Sequence, residues 1–166
     1  QTTAVTTYTP ADGANGAVDV TVSKSVGLVE PSLRMADTAF SLLTDVDAGD
    51  AVAFKVTVEY TGDAASTAHT GSVKATLPST LGPSGTPSCV GNGCGGFSFT
   101  ENADGFTFDF GELTESAGVA AVSFEATVAD TITPGSDVAD ASYALTYAGL
   151  PTDSLCDGAA RAYTAS

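Results

Sequence analysis

Tryptophan is missing from this 166-residue sequence, and histidine and methionine each occur once. Basic residues are nearly as scarce: five Lys and Arg stand against twenty Asp and Glu, a formal charge of −15. A surface this acidic repels phosphate backbones and anionic lipids, so nucleic acid is excluded as a partner. Apolar runs long enough for a membrane-spanning helix are absent, and no membrane insertion is expected. The groups that enzymes use are just as thin. His69, in Ser66-Thr67-Ala68-His69-Thr70, reads as a surface or loop residue. Gly82-Pro83-Ser84-Gly85 lacks the strand and helix that frame a nucleophile elbow. Phosphate-loop and dinucleotide fingerprints do not occur. Carboxylates are scattered along the chain rather than set as a pair, and no Trp offers a face to a sugar ring. These absences argue against an enzyme.

What remains is a foldable chain of one domain's length. Hydrophobic residues make up 43% and charged residues 15%, well below the usual figure of about 25% charged. Disorder needs the opposite balance. A core at this size buries roughly 70% of the surface of the unfolded chain, so folding requires neither metal nor disulfide. The sequence opens at Gln1 with no Met, basic stretch or apolar stretch, and reads as a processed mature form. Little Lys, much Thr, Ser, Ala and Gly, and strong acidity together suit a secreted, extracellular or cell-surface location. Asn15, Asn92 and Asn102 all fail the Asn-x-Ser/Thr rule, so N-linked sugars are not expected.

A period of two dominates. Val18, Val20, Val22 and Val26 share one face of Val18–Val26, and Val52, Phe54, Val56, Val58 and Tyr60 share one face of Ala51–Tyr60. Val73-Ala75-Leu77, Phe97-Phe99, Phe106-Phe108-Phe110, Val122-Phe124-Ala126-Val128 and Ala141-Tyr143-Leu145-Tyr147 continue the alternation. Such runs are strands with one buried and one wet face. Asp47-Ala48-Gly49-Asp50, Thr61-Gly62-Asp63, Asp104-Gly105 and Thr133-Pro134-Gly135 punctuate them as turns, and Asp104-Gly105 predicts a hairpin. No helix is expected, and Leu33–Leu43 carries only scattered apolar residues. Seven or so short strands predict an all-β, immunoglobulin-like β-sandwich.

Residues 17–150 form the expected sandwich, with extended segments at 1–16 and 151–166. In the first, Ala4-Val5-Thr6-Thr7-Tyr8 is strand-prone and precedes Pro10 and a Gly-rich stretch. It reads either as a frayed or edge-packed terminus or as a strand given to a neighbouring subunit. The second holds Cys156, Arg161 and the short run Ala162-Tyr163-Thr164. Cys89 and Cys94 flank a Gly-rich loop and are the expected disulfide. Closing that short ring removes only roughly 2 kcal/mol of unfolded-state entropy, against about 4 for Cys94 to Cys156, but proximity and flexible glycines favour the short link. Cys156 is then free, buried or paired between subunits. Three cysteines and one His leave a zinc site without its fourth ligand.

Val20–Val26, then Asp47–Val58, then Thr61-Gly62-Asp63 resemble the start of the "domain of unknown function eleven" repeat of bacterial and archaeal surface proteins. The resemblance continues through Ala75–Leu81, Phe108–Leu113 and Val122–Val128 to Tyr143–Tyr147, covering about residues 17–150 in the family's motif order. Each motif alone is common. The resemblance implies an immunoglobulin-like sandwich used as a repeated unit in adhesins, cell-wall proteins and fimbria-like fibres, although only one copy is present. It also draws attention to Lys24, in phase with the inward valines of its strand. Lys24 either snorkels at the strand end or sits at a bulge, or it forms an isopeptide bond of the kind found in fimbrial modules that resemble the family. Asp140 or Asp137 would be its partner and Glu125 or Glu59 the assisting acid. Asp45, Asp47 and Asp50 read as an Asp-rich turn entering the next strand, with calcium as an alternative; no other cofactor is expected.

The expected function is a non-enzymatic structural subunit of an extracellular filament, fimbria-like fibre or surface layer. Its partners are copies of itself, joined by β-strand addition and edge contacts, with cell-surface or matrix contacts besides. The alternatives are a monomeric adhesin or ligand-binding module for glycan or calcium, and one repeat cut from a longer surface protein.

Overall fold

A computed structural model describes residues 30–40, 46–61, 66–114, 116, 118–133, 138, 140–149 and 162–165. Its elements are β1 (Leu33–Phe40), β2 (Ala51–Tyr60), β3 (Ala68–Thr76), β4 (Leu81–Val90), β5 (Ser98–Asn102), β6 (Gly105–Leu113), β7 (Ala120–Val128), β8 (Ser142–Ala148) and β9 (Ala162–Ala165). A 3₁₀ turn lies at Asn92–Cys94, between β4 and β5. The strands form two sheets, β1-β2-β7-β4 and β5-β6-β3-β8-β9, with every pairing antiparallel. The fold is an all-β sandwich. Its first sheet has the order of the A-B-E-D layer of an immunoglobulin domain, and β3-β8-β9 has the order of the C-F-G layer. The β5–β6 hairpin extends that second layer by two strands.

Alternation produces these layers. Along β2 the inward Val52, Phe54, Val56 and Val58 are buried, while Ala51, Ala53 and Lys55 face water. Directly across on β7 lie Ala126, Phe124, Val122 and Ala120, all buried. The opposing sheet contributes Phe106, Phe108 and Phe110 from β6, Val73 and Ala75 from β3, and Leu145 from β8. Phe124 joins the layers: its ring stacks on Phe54 at 5.1 Å and meets Phe108 at 5.3 Å and Phe106 at 5.5 Å. Each such ring contributes about 1.5–3 kcal/mol by leaving water, with a further 0.5–1.5 kcal/mol per well-placed aromatic pair.

Two strands lie where no alternation predicts them. β1 occupies Leu33–Phe40, and its pairing with β2 slips between Met35 and Asp37, a bulge that breaks the period. β4 contains Pro83, Pro87, Gly82 and Gly85, residues that read as loop, and its register with β7 shifts between Ser84 and Ser88. Both are edge strands of their sheet, where proline and bulges are tolerated. β3 begins at Ala68, ahead of the Val73 run, and this first part breaks the period of two: Thr70 takes a positive φ of 52° and the ladder to β6 shifts around Gly71. The predicted strand Val18–Val26 lies outside the described residues. Residues 162–165 of the C-terminal segment are the outer strand of the second sheet, paired with Leu145–Ala148.

Candidate assembly surface

The sandwich has two long seams between its layers, and they are built differently. At the β1/β9 seam, the Leu33 amide donates to the Tyr147 hydroxyl at 3.2 Å, and Tyr163 stacks on Tyr147 at 5.1 Å. The Tyr163 hydroxyl donates to the Glu30 carboxylate. Two hydrogen bonds therefore cross this side, and the Tyr147–Tyr163 stack, between paired neighbours of the second sheet, sets the two hydroxyls that make them. Nearby, Tyr60 receives the Ala68 amide at 3.0 Å and donates to the Leu113 carbonyl, tying the end of β2 to the opposite sheet.

At the β4/β5 seam the chain itself crosses between the layers, and a disulfide braces the crossing turn against the end of β4. Cys89 and Cys94 form a disulfide with Cα atoms 5.8 Å apart. The chain turns from β4 through Asn92–Cys94 and crosses to the other sheet. The Cys94 amide donates to the Gly91 carbonyl at 3.1 Å, the Phe97 amide to the Cys94 carbonyl at 3.1 Å, and the Gly93 amide to Val119 at 3.2 Å. Gly91 has φ 119°, and a Cβ there would stand 2.2 Å from the Val119 carbonyl oxygen, so only glycine lets the backbone pass. Beyond the clasp, Phe97 and Phe99 run along the seam, with Phe97 6.2 Å from Phe108 and Phe99 6.3 Å from Phe106. Phe99 remains 38% exposed, one of three large exposed hydrophobics among the described residues with Val90 and Val119.

The sequence-predicted site residues fall as follows. Asp47 and Asp50 sit in an exposed turn, where the Asp50 carboxylate accepts the Asp47 amide at 2.9 Å and the Asp50 amide returns to the Asp47 carbonyl at 3.1 Å. Gly49, at φ 91°, lets that turn close and donates its amide to Val128 at 2.9 Å. Asp45 lies outside the described residues, and among those described no three His, Cys, Asp or Glu side chains gather as metal ligands. Asp140 is exposed, and its carboxylate accepts the adjacent Ala141 amide at 2.7 Å. Lys24 and Asp137 lie outside the described residues. Glu125 faces outward from the first sheet, and Glu59 is ion-paired with Arg34 there, on the layer opposite the strand that Asp140 precedes. Ala4, Val5, Thr6, Thr7, Tyr8 and Cys156 are likewise outside the described residues.

His69 is on β3, not in a loop, with Nδ1 3.0 Å from the exposed Glu112 carboxylate. Lys74 pairs with Asp104 at 3.1 Å beside the β5–β6 turn. With Arg34 and Lys74 already bound to carboxylates, Glu101, Glu125, Asp130 and Asp140 give the exposed surface its sign. Sequence reasoning missed Tyr143. Its hydroxyl is buried without a hydrogen-bond partner, and burial, with the charge of Asp140 second, pushes its pKa well above the ordinary phenol value. Only its place in the inward run of β8 marks it in the sequence.

No family model matches the chain, and no curated protein does. Among solved structures, the major pilin subunit of Bacillus cereus superposes with a TM-score of 0.53 at 10% identity, over 81% of this chain and 38% of that one. The pilus backbone protein of Streptococcus pneumoniae gives a TM-score of 0.47 at 17% identity, over 72% of this chain and 52% of that one. The chain thus spans about 38% and 52% of the lengths of these two structures. At 10% identity the first likeness is one of fold: the sandwich is shared.

Proposed function

We propose that this chain is a non-enzymatic structural subunit of an extracellular, fimbria-like filament or surface layer, built from copies of itself. The observation that carries the reading is the open-edged sandwich. Each layer ends in strands whose outer N–H and C=O groups meet no further strand among the described residues. Such rims are templates for another chain. Sharing its sandwich with a major pilin subunit supports the same reading, as does the resemblance of residues 17–150 to the surface-protein repeat. Main-chain hydrogen bonds to an added strand supply affinity without a catalytic or ligand pocket. The donor strand in this reading is Ala4–Tyr8, and a donor distinct from its acceptor gives a head-to-tail contact that propagates. Secretion to the cell exterior goes with the function, as does the disulfide. Negative-stain electron microscopy and concentration-dependent light scattering test it. Ordered filaments with a regular axial repeat are expected; monodisperse particles at every concentration overturn it.

A further inference from the structure

The rims of the sandwich are not equally ready to accept a strand. β4 carries Pro83 and Pro87, which lack amide protons, and its register slips between Ser84 and Ser88 with Gly85 at φ 70°. β1 is bulged between Met35 and Asp37 and carries the Arg34–Glu59 ion pair. β9 has four residues, and its Tyr163 hydroxyl is tied to Glu30. Proline, bulges, charge and brevity are the devices that keep edges from pairing. β5 lacks the first two. Its ladder to β6 runs unbroken from Ser98↔Asp109 to Asn102↔Gly105, and among the described residues no strand lies beyond it. Ser98, Phe99, Thr100 and Glu101 are all exposed, Phe99 with 38% of its surface in water.

The hairpin fixes which main-chain groups of β5 are free. The two-residue turn at Ala103 and Asp104 makes Asn102↔Gly105 a pair that exchanges both N–H···O=C bonds, and every second pair along the ladder does the same. Thr100 and Ser98 therefore bond to β6, while the N–H and C=O of Phe99 and Glu101 point away from it. The inner strands of both sheets already have neighbours on each side, so of the described strands only β5 of another copy offers an edge equally free. Two identical edges match by antiparallel pairing across a two-fold axis. With Phe99 on that axis, the two Phe99 residues exchange both bonds, and each Glu101 amide donates to the other copy's Phe97 carbonyl. The Phe97 amide is already given to the Cys94 carbonyl at 3.1 Å. Residues directly opposite share a face, so the two Phe99 rings meet as an aromatic cross-strand pair. A match centred on Thr100 sets each Phe99 against a Glu101 carboxylate instead, and forgoes that pair. We infer that the outer edge of β5 is a two-fold contact between two copies of this chain, centred on Phe99, which joins their second sheets into one. A contact that closes on itself adds no length to a filament, so it is independent of the strand donation above and sets subunits side by side.

An edge of five residues falls short of the roughly 1,200–2,000 Å² buried in stable complexes. The dimer is therefore expected to form between about 0.1 and 1 mM protein at 0.15 M salt, where charge repulsion is screened. Sedimentation equilibrium on the full chain reads the stoichiometry, and residue-resolved amide exchange by NMR reads the edge. The expected result is a monomer–dimer equilibrium in which the Phe99 and Glu101 amides slow roughly twofold or more, in step with the dimer fraction. The Thr100 amide, bonded to β6, is protected at every concentration. Phe99→Asp, with an unchanged melting profile, is expected to weaken dimerisation roughly tenfold or more. Glu101→Gln is expected to tighten it, since no charge then leaves water, and this variant decides the matter if Phe99→Asp folds poorly. Tyr8→Asp is expected to leave it unaltered. Slow exchange at Phe99 and Glu101 that ignores concentration would place a segment of the same chain on β5 and overturn the contact. A dimer with unprotected β5 amides, a dimer lost in Tyr8→Asp, and protein still monomeric at about 1 mM each overturn it too. Filaments without protection at β5 overturn this contact and leave the filament reading standing, whereas β5-protected dimers that never form filaments do the reverse.

Discussion

Gly91 shows how one residue sets a crossing between layers. Its φ of 119° belongs to the region that L side chains avoid, and the space a Cβ needs is filled by the Val119 carbonyl oxygen at 2.2 Å. Gly91→Ala must therefore either strain the backbone or push β7 away from the turn. We expect a loss of about 2–4 kcal/mol in denaturant unfolding, at the upper end of single-residue effects. Tyr143 poses the opposite case, a group the fold tolerates rather than needs. Its buried, unpartnered hydroxyl has left water without replacement bonds, so Tyr143→Phe is expected to leave stability unchanged or raise it by about 1 kcal/mol. The sign of its pH effect is fixed by the raised pKa. A phenol held protonated in the fold favours the native state fully below the unfolded value of about 10, and that contribution is lost as pH rises through the folded value. Thermal melts of the wild type are expected to fall more steeply above pH 10 than those of Tyr143→Phe. Parallel curves would show that this hydroxyl does not carry the alkaline loss.

Among the elements, the strands most legible in the sequence were those in the middle of sheets, with the edge strand β5 also marked by Phe97 and Phe99. β2, β6, β7 and β8 sit between neighbours or face a closed layer, so one face must be apolar and the period of two survives in the sequence. The Asp104-Gly105 turn was equally readable, since Gly105 at φ 142° lies against Ala75 where no side chain fits. β1 and β4 were hidden for a common physical reason. An edge strand is relieved of half its ladder, and the residues that guard it (Pro83, Pro87, the slip beside Asp37) are the ones read as loop from sequence. Of the candidate site, the Cys89–Cys94 spacing was visible, whereas the inequality of the two seams was not, because Tyr147, Tyr163 and Glu30 meet only through the sheet order. The clasp carries its own expected outcome. Replacing Cys89 and Cys94 together by serine releases a short ring, at a cost of roughly 2 kcal/mol by chain entropy. Chemical denaturation should show that loss with an unaltered circular dichroism spectrum. A far larger loss would mean that the disulfide holds the two layers together instead of trimming one turn.

At the scale of the whole molecule, charge and edge geometry oppose one another. Strand addition brings two bodies of formal charge −15 within a few ångströms, and that repulsion acts over the Debye length. At 0.01 M ionic strength this length is about 30 Å, comparable with the diameter of a small domain, so whole subunits repel. By 0.15 M it is about 8 Å, and only carboxylates close to the contact still resist. Hydrogen bonds and apolar contact at the edge are short-ranged and nearly indifferent to salt over this interval. Assembly is thus expected to be weak in dilute buffer and to strengthen steeply as monovalent salt rises, with the onset concentration falling by roughly an order of magnitude or more. Sedimentation velocity across a sodium chloride series reads this directly. Magnesium or calcium at equal ionic strength should act like sodium if screening is the cause, since among the described residues no carboxylates are gathered to bind a cation. An onset that ignores salt would mean that the subunits meet through surfaces already stripped of charge.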